Sequence, residues 1–379
     1  MINIDDNRIV MTLDAGGTNF VFSAVSKGKQ FVSPLTLPSN ADSLDLCLNT
    51  IIKGFTLINN SIGTKPDAIS FAFPGPADYP NGIIGDLMNL PGFKGGVPLK
   101  HILEEKFKIP VFINNDGDLF TYGEALAGIL PFVNRKLKDG GSTKRYNNLI
   151  GITLGTGLGG GLVCNNELII GDNSNGGEIW IMSNRYNPTM NVEESISIRA
   201  IQRVYSEISN SNCDTTLTPY DIYQIGIEKK EGNKEAALES FKQMGMALGD
   251  LIANLIAVFD GIVVIGGGLS GARELFLPYT LNELRSQYKN YSEDSYPRTT
   301  QKVFELDNES ELNDFIVGKT EKIIVPETNK IIHYDSLKRT GIAFSKLGTS
   351  QATSLGAYAF ALNQLDRANV STQIDNKVS

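Results

Sequence analysis

Cysteine is scarce in this chain. Only Cys47, Cys164 and Cys213 occur in 379 residues, and they are too widely spaced to form a ligand pair or a disulfide framework. They read as reduced thiols of a cytosolic protein. Long apolar runs are missing as well. No uninterrupted stretch approaches the roughly 20 residues that cross a bilayer, so no membrane partner is expected. The opening Met1-Ile2-Asn3-Ile4-Asp5-Asp6 is acidic and lacks the basic segment of a secretion signal. Positive charge is also short: the net charge is −8, which argues against a nucleic-acid partner. The one basic cluster, Arg135, Lys136, Lys138, Lys144 and Arg145, reads as a solvated loop. The expectation is a soluble, cytoplasmic protein.

Glycine is abundant, with 38 residues against a usual frequency of about 7%. Many fall in two turns that each leave a β-like apolar run. Asp14-Ala15-Gly16-Gly17-Thr18-Asn19 follows Ile9 to Leu13, and Leu154-Gly155-Thr156-Gly157-Leu158-Gly159-Gly160-Gly161 follows Leu149 to Thr153. Without a Cβ, glycine permits positive φ and lets backbone N–H groups crowd an anion, and successive N–H groups form a concave nest for phosphate. One such turn is weak evidence. Two, about a domain's length apart, predict a nucleotide's phosphate tail held from two sides and hence a phosphotransferase.

The length allows two domains, and a repeated theme of strand, glycine turn and strand runs through them. Strands are predicted at Arg8 to Leu13, Phe20 to Val25, Phe31 to Leu37, Ala68 to Phe73 and Val111 to Ile113. Helical spacing marks Ser43 to Phe55, Leu99 to Phe107 and Leu119 to Leu126. The second round has strands at Leu149 to Leu154, Gly160 to Cys164 and Glu167 to Ile170, and a long helix over Lys234 to Phe259. A buried strand, Gly261 to Ile265, then stops at Gly266-Gly267-Gly268. Residues 282–335 read as a polar insertion carrying a hairpin at Lys322 to Val325 and Lys330 to His333. A last helix spans Ser354 to Leu365, with a frayed tail from Gln373. The prediction is an α/β fold of two related lobes with a cleft between them. The smaller lobe takes 1–125 plus 355–372, and the larger takes 126–354.

Phosphoryl transfer needs positioning, charge neutralisation and a base for the attacking hydroxyl. Asp116 is the best base: it follows a strand, beside Asn115, and a carboxylate at a strand's carboxyl end points into the crevice of an α/β lobe. It also reads as a helix N-cap, and its rival Asp118 reads as the better cap. Asp14 ends the first strand, where it either holds Mg²⁺, directly or through water, or closes an Asx-turn. Thr18 and Thr156 offer hydroxyls to phosphate oxygens. Glu178 and Glu193, judged alone, read as surface glutamates.

Together these pieces resemble the ROK family of sugar kinases and sugar-responsive regulators, within the actin/hexokinase-like (ribonuclease H-like) superfamily. The resemblance runs from about Ile9 to Ala361. It includes Phe73-Pro74-Gly75-Pro76-Ala77-Asp78, Asn89-Leu90-Pro91-Gly92-Phe93, Asn115-Asp116, Gly123-Glu124 and Gly266-Gly267-Gly268-Leu269. It implies ATP-dependent phosphorylation of a hexose or N-acetylhexosamine, as in glucokinases, with Asp116 as general base. Gly75, Asn115, Asp116, Glu178 and Glu193 would bind the sugar, since each ring hydroxyl needs a partner. Asp14, Gly16, Gly17, Thr18, Asn19, Gly155, Thr156, Gly157, Gly267 and Gly268 would bind ATP, with Mg²⁺ on Asp14. A homodimer is left open.

The chain also departs from the family pattern. Trp180-Ile181 stands where the family has Gly-His, and no cysteine lies between Cys164 and Cys213. The two histidines, His101 and His333, fall elsewhere. A structural zinc site cannot be assembled from these residues, and Trp180 reads as a buried aromatic or a sugar-stacking ring. The alternative implied by the departure is a noncatalytic sugar-binding or regulatory member of the family. Repressors of the family carry a helix-turn-helix before the core, and a first phosphate turn starting at Asp14 leaves no room for one.

Overall fold

An apolar run without polar relief must be buried on both faces if it is a strand, and Val10-Met11-Thr12-Leu13 is the middle of one. A computed structural model of the protein describes residues 6–378 apart from 17, 76, 86–91, 210–216 and 329. The first sheet contains β1 (Val10–Ala15), β2 (Asn19–Ser26), β3 (Lys29–Gln30), β4 (Leu35–Pro38), β5 (Ala68–Ala72) and, past the two-residue ladder β6 (Ala77–Asp78) and β7 (Ile83–Ile84), β8 (Val111–Asn114). Its order is β3-β2-β1-β5-β8, with β4 also on β2. β1 is antiparallel to β2 and parallel to β5, which is parallel to β8. The helices between are α1 (Leu44–Ile62) and α2 (Leu99–Phe107), followed by α3 (Asp116–Leu126) and α4 (Ile129–Asp139).

The second sheet repeats that order. Its strands are β9 (Leu149–Leu154), β10 (Leu158–Cys164), β11 (Glu167–Leu168), β12 (Ile262–Gly266) and, beyond the hairpin β13 (Gln287–Lys289) and β14 (Ser295–Pro297), β15 (Lys302–Glu305). After the hairpin β16 (Thr320–Ile324) and β17 (Ile331–Asp335) comes β18 (Arg339–Phe344). The order β11-β10-β9-β12-β18-β15 matches the path β3-β2-β1-β5-β8 of the first sheet, with β15 added at the edge and, among the described residues, no counterpart of β4. β12 is parallel to β9 and β18, and β18 is parallel to β15. Helices α5 (Ile198–Ser209), α6 (Pro219–Gly226), α7 (Lys234–Val258), α8 (Arg273–Leu284) and α9 (Glu309–Val317) accompany it, and α10 (Thr349–Val378) ends the chain.

The chain clusters into two compact units, Met1–Gly128 with Gly161–Gly177 and Leu347–Ser379, and Ile129–Gly160 with Glu178–Lys346. Compared with the expected division, 161–177 returns to the first unit. In that unit Leu355, Tyr358, Ala361 and Leu362 of α10 pack on Val10, Val25 and Ala68. The opposite side of the sheet buries Phe20, Phe22, Phe55, Phe71 and Phe73.

Several expectations need correction. The third strand is not continuous from Phe31; Lys29–Gln30 and Leu35–Pro38 pair with different parts of β2. The first helix runs on to Ile62, where Gly63 at φ 73° closes it. The last helix begins at Thr349 and extends through the expected tail to Val378. Residues 282–335 are not wholly an insertion: Val303 and Phe304 are buried in β15 and Phe315 under it, because β18 has an open edge that β15 pairs. The basic cluster is helical in part, with Arg135, Lys136 and Lys138 on α4. Pro76, Asn89 to Pro91 and Cys213 lie outside the described residues.

Candidate functional site

Parallel pairing aligns the carboxyl ends of β1, β5 and β8. Asp14 is in register with Ala72, and Ala72 with Asn114, so Asp14 and Asn114 share one row two strands apart. At the usual strand spacing that puts their Cα atoms roughly 9–10 Å from each other. Gly75 and Asp116 follow the ends of β5 and β8. This edge therefore gathers Asp14, Gly75, Asn115 and Asp116 in the first unit, where an open α/β sheet receives ligands.

The turn after β1 is closed by Gly16, whose N–H donates to the Asn19 carbonyl at 3.1 Å. A Cβ on Gly16 would sit 2.9 Å from that oxygen, so the turn requires glycine. Asp14, Thr18 and Asn19 are exposed. Gly17 lies outside the described residues. Beyond β5, Gly75 is pressed against the Tyr79 hydroxyl, 2.5 Å from where a Cβ would be, and that hydroxyl donates to the Phe73 carbonyl at 3.1 Å.

The helix α3 begins one residue after Asn115, which caps it: Asn115 Oδ1 accepts from the Gly117 N–H at 2.7 Å. Asp118 is therefore not the cap. It lies inside the helix, 3% exposed. Asp116 occupies the first helical position, where part of the residue reaches the surface while its carboxyl is packed round by protein, and its Oδ1 also accepts from Gly117 N–H at 2.9 Å. Enough protein surrounds its carboxyl for desolvation to raise its pKa above the usual aspartate value; the Gly117 hydrogen bond opposes this, and the negative charge of Asp14 adds to it. Asn114, which sequence reading passed over, is buried. Its Oδ1 accepts from the Asn115 N–H at 2.9 Å, fixing the residue that carries the cap.

In the second unit the glycine turns after β9 and β12 lie side by side. Gly266 is in register with Thr153, and Gly267, at φ 89°, packs on the Leu154 backbone so closely that no Cβ fits. A Cβ on Gly155 or Gly268 would meet nothing within 4 Å, so open space faces both turns. Gly155 N–H donates to the Gly157 carbonyl at 3.0 Å, and Ile198 N–H to the Gly155 carbonyl at 3.0 Å. Thr156 is exposed.

Neither glutamate is a loose surface group. Glu193 Oε2 accepts from the Leu158 N–H at 2.8 Å, and its Oε1 from Arg199 at 2.6 Å. Glu178 accepts a hydrogen bond from the Trp180 indole N–H. Trp180 is half-buried, and Ile181 beside it is 62% exposed. Arg199 and Leu158 carried no signal in the sequence, because their roles rest on contacts between distant segments.

Among the described residues no three His, Cys, Asp or Glu side chains gather to hold a metal. Mg²⁺ needs no such cage, since one or two carboxylates with substrate phosphates and water suffice. Asp14, exposed and close enough to Asp116 for the two charges to interact, fits that donor set. The glycine turns with open space before them fit a polyphosphate. No helix of the described residues is long and apolar enough to cross a membrane.

Comparisons with known proteins agree on one family. The sequence model of the ROK family matches residues 10–311. A glucokinase from Halalkalibacterium halodurans is 27% identical over 72% of this chain and 83% of its own length. An N-acetyl-D-glucosamine kinase from Photobacterium profundum is 26% identical over 69% of this chain and 85% of its own. The crystal structure of a glucokinase from Parabacteroides distasonis superposes with a TM-score of 0.85 at 49% identity, covering 96% of this chain and 99% of that one.

Proposed function

The chain belongs to the ROK family, with the family's α/β, actin/hexokinase-like two-lobe fold, and from that premise we propose that it is an ATP-dependent kinase of a hexose or an N-acetylhexosamine. The observation that carries the reading is the shared row of Asp14 and Asn114, with Asp116 two residues beyond. It sets a carboxylate suited to Mg²⁺ and a carboxylate suited to base catalysis at one sheet edge. The relatives named glucokinase and N-acetyl-D-glucosamine kinase support both substrate classes.

In this reading Asp116 accepts the proton of a sugar hydroxyl as that oxygen attacks the γ-phosphorus. Desolvation of Asp116 raises its basicity, which brings its pKa nearer the operating pH where a general base is most effective. The cap on Asn115 occupies its side-chain oxygen and leaves its amide N–H groups to donate to a sugar oxygen. Gly75, Glu178 and Glu193 complete the sugar's partners. Bound Mg²⁺ supplies charge neutralisation on the phosphates, with Asp14 as its protein ligand. Gly16, Gly17, Thr18 and Asn19 of the first unit and Gly155, Thr156, Gly157, Gly267 and Gly268 of the second are the proposed ATP-binding residues. The Gly16 and Gly155 N–H groups close their own turns, so the threonine hydroxyls and the other backbone N–H groups are the proposed donors to phosphate.

The test is ADP release in a coupled assay over a panel of hexoses and N-acetylhexosamines, with Asp116→Asn alongside. Sugar-dependent ADP release that falls by about 10²–10⁴ in the variant supports the kinase. Tight sugar binding with no turnover in the unaltered protein would replace it with the noncatalytic reading.

A further inference from the structure

Glu193 stands 35 residues from the turn it touches, yet two hydrogen bonds join its segment to that turn. Leu158 N–H donates to Glu193 Oε2 at 2.8 Å, and Ile198 N–H donates to the Gly155 carbonyl at 3.0 Å. Gly157 is part of the same fit, because a Cβ there would lie 2.5 Å from Glu193 Oε2. The other carboxylate oxygen is held by Arg199 at 2.6 Å, and Arg199 also pairs with Glu194 Oε1 at 2.7 Å. Leu158 itself is 2% exposed, so its N–H has no water to fall back on, and leaving it without a partner is costly. The carboxylate is thus the acceptor that fixes where the turn ends and strand β10 begins.

We infer that the Glu193–Arg199 pair positions the Gly155–Gly157 turn for the nucleotide's phosphates, in addition to any contact Glu193 makes with sugar. This rests on the reading of that turn as a phosphate site. One carboxylate then serves both substrates, and occupancy of one site stiffens the other. Such coupling is reciprocal: sugar tightens nucleotide binding by the same factor that nucleotide tightens sugar binding. Arg199 acts through Glu193, which makes it a positioning residue.

The experiment measures ADP affinity by calorimetry on the full chain without sugar, where a residue serving only as a sugar ligand has no effect. Glu193→Ala is expected to weaken ADP roughly five- to tenfold and to abolish the tightening produced by added glucose or N-acetylglucosamine. Glu193→Gln, which keeps an oxygen to accept from Leu158, should recover most of the ADP affinity. Arg199→Met alters a half-exposed side chain, serves as the second variant where Glu193→Ala fails to fold, and should weaken ADP by a smaller factor. ADP affinity unchanged in the folded Glu193→Ala protein, or in Arg199→Met where Glu193→Ala fails to fold, overturns the inference. Failure of the unaltered protein to bind ADP at all overturns the kinase reading instead, so the two failures are separable.

Discussion

The indole N–H of Trp180 donates to the carboxylate of Glu178, two residues earlier in the chain. The pair spans a short helical turn, Ile179–Ile181, that follows Gly177 at φ 84°. A carboxylate that accepts from a fixed donor has fewer orientations, so its remaining lone pairs point in set directions. Trp180 is also the chain's one tryptophan, which makes its emission a reporter of Glu178.

From this contact, adding a bound hexose to the protein without nucleotide should shift or quench tryptophan emission in a saturable way. Trp180→Phe keeps an aromatic side chain, though a smaller one, and removes the N–H. Its sugar KM is expected to rise about three- to tenfold with a smaller change in kcat, since one neutral donor to a charged acceptor is lost. Equal sugar KM in Trp180→Phe and the unaltered protein would show that the indole packs without orienting Glu178.

The proposed role of Asp116 sets an expectation for the acid side of the pH profile. General-base work needs the ionised carboxylate, and desolvation, with the nearby Asp14 charge, raises its pKa. The sign is therefore fixed: kcat/KM is lost, as pH falls, at a higher pH than for an ordinary aspartate. In the protein without Mg²⁺ or nucleotide, Asp14→Asn removes the like charge and should lower the Asp116 pKa. Carboxyl titration of Asp116 by NMR in the metal-free protein, with and without the substitution, checks it. A pKa that stays in place or moves upward would separate the two carboxylates energetically.

Where the sequence was legible, the signal was local. Glycine turns after apolar runs marked the same joint in both sheets, and Asp116 was singled out because only two residues separate it from the strand expected at Val111 to Ile113. The start of α3 was not legible: Asn115, Asp116 and Asp118 can each cap a helix, and the choice depends on where the strand before it stops. The strand Lys302–Glu305 was hidden because two apolar residues between charges read as surface until β18 offers them an edge. Glu193 and Glu178 were visible only through family likeness, since the partners that hold them, Leu158 N–H and the Trp180 indole, leave no pattern in residue type. The tight crossing of α3 and α10 was equally invisible, although Gly123 was in view as part of the family likeness.

That crossing allows a prediction whose sign has to be weighed. Gly123 faces the Ala352 carbonyl and Gly356 faces the Leu119 carbonyl, each so closely that a Cβ would overlap backbone atoms. Alanine is the better helix former by about 1 kcal/mol, which alone would make Gly356→Ala stabilising. Forcing a methyl group into packed backbone costs about 1–3 kcal/mol or more, and here neither partner is a flexible side chain that can yield. Overpacking wins, so Gly356→Ala should lower Tm by several degrees, and Gly123→Ala should do the same. Because α3 carries Asp116 at its first turn, any accommodation by helix displacement also moves the proposed base. The expected signature is a loss of kcat in protein that remains folded well below its lowered Tm, measured beside an alanine at an exposed helical position such as Ser61→Ala, which should leave both unchanged. A Tm equal to or above that of the unaltered protein would mean that the two helices can separate without cost, and that the glycines are there for another reason.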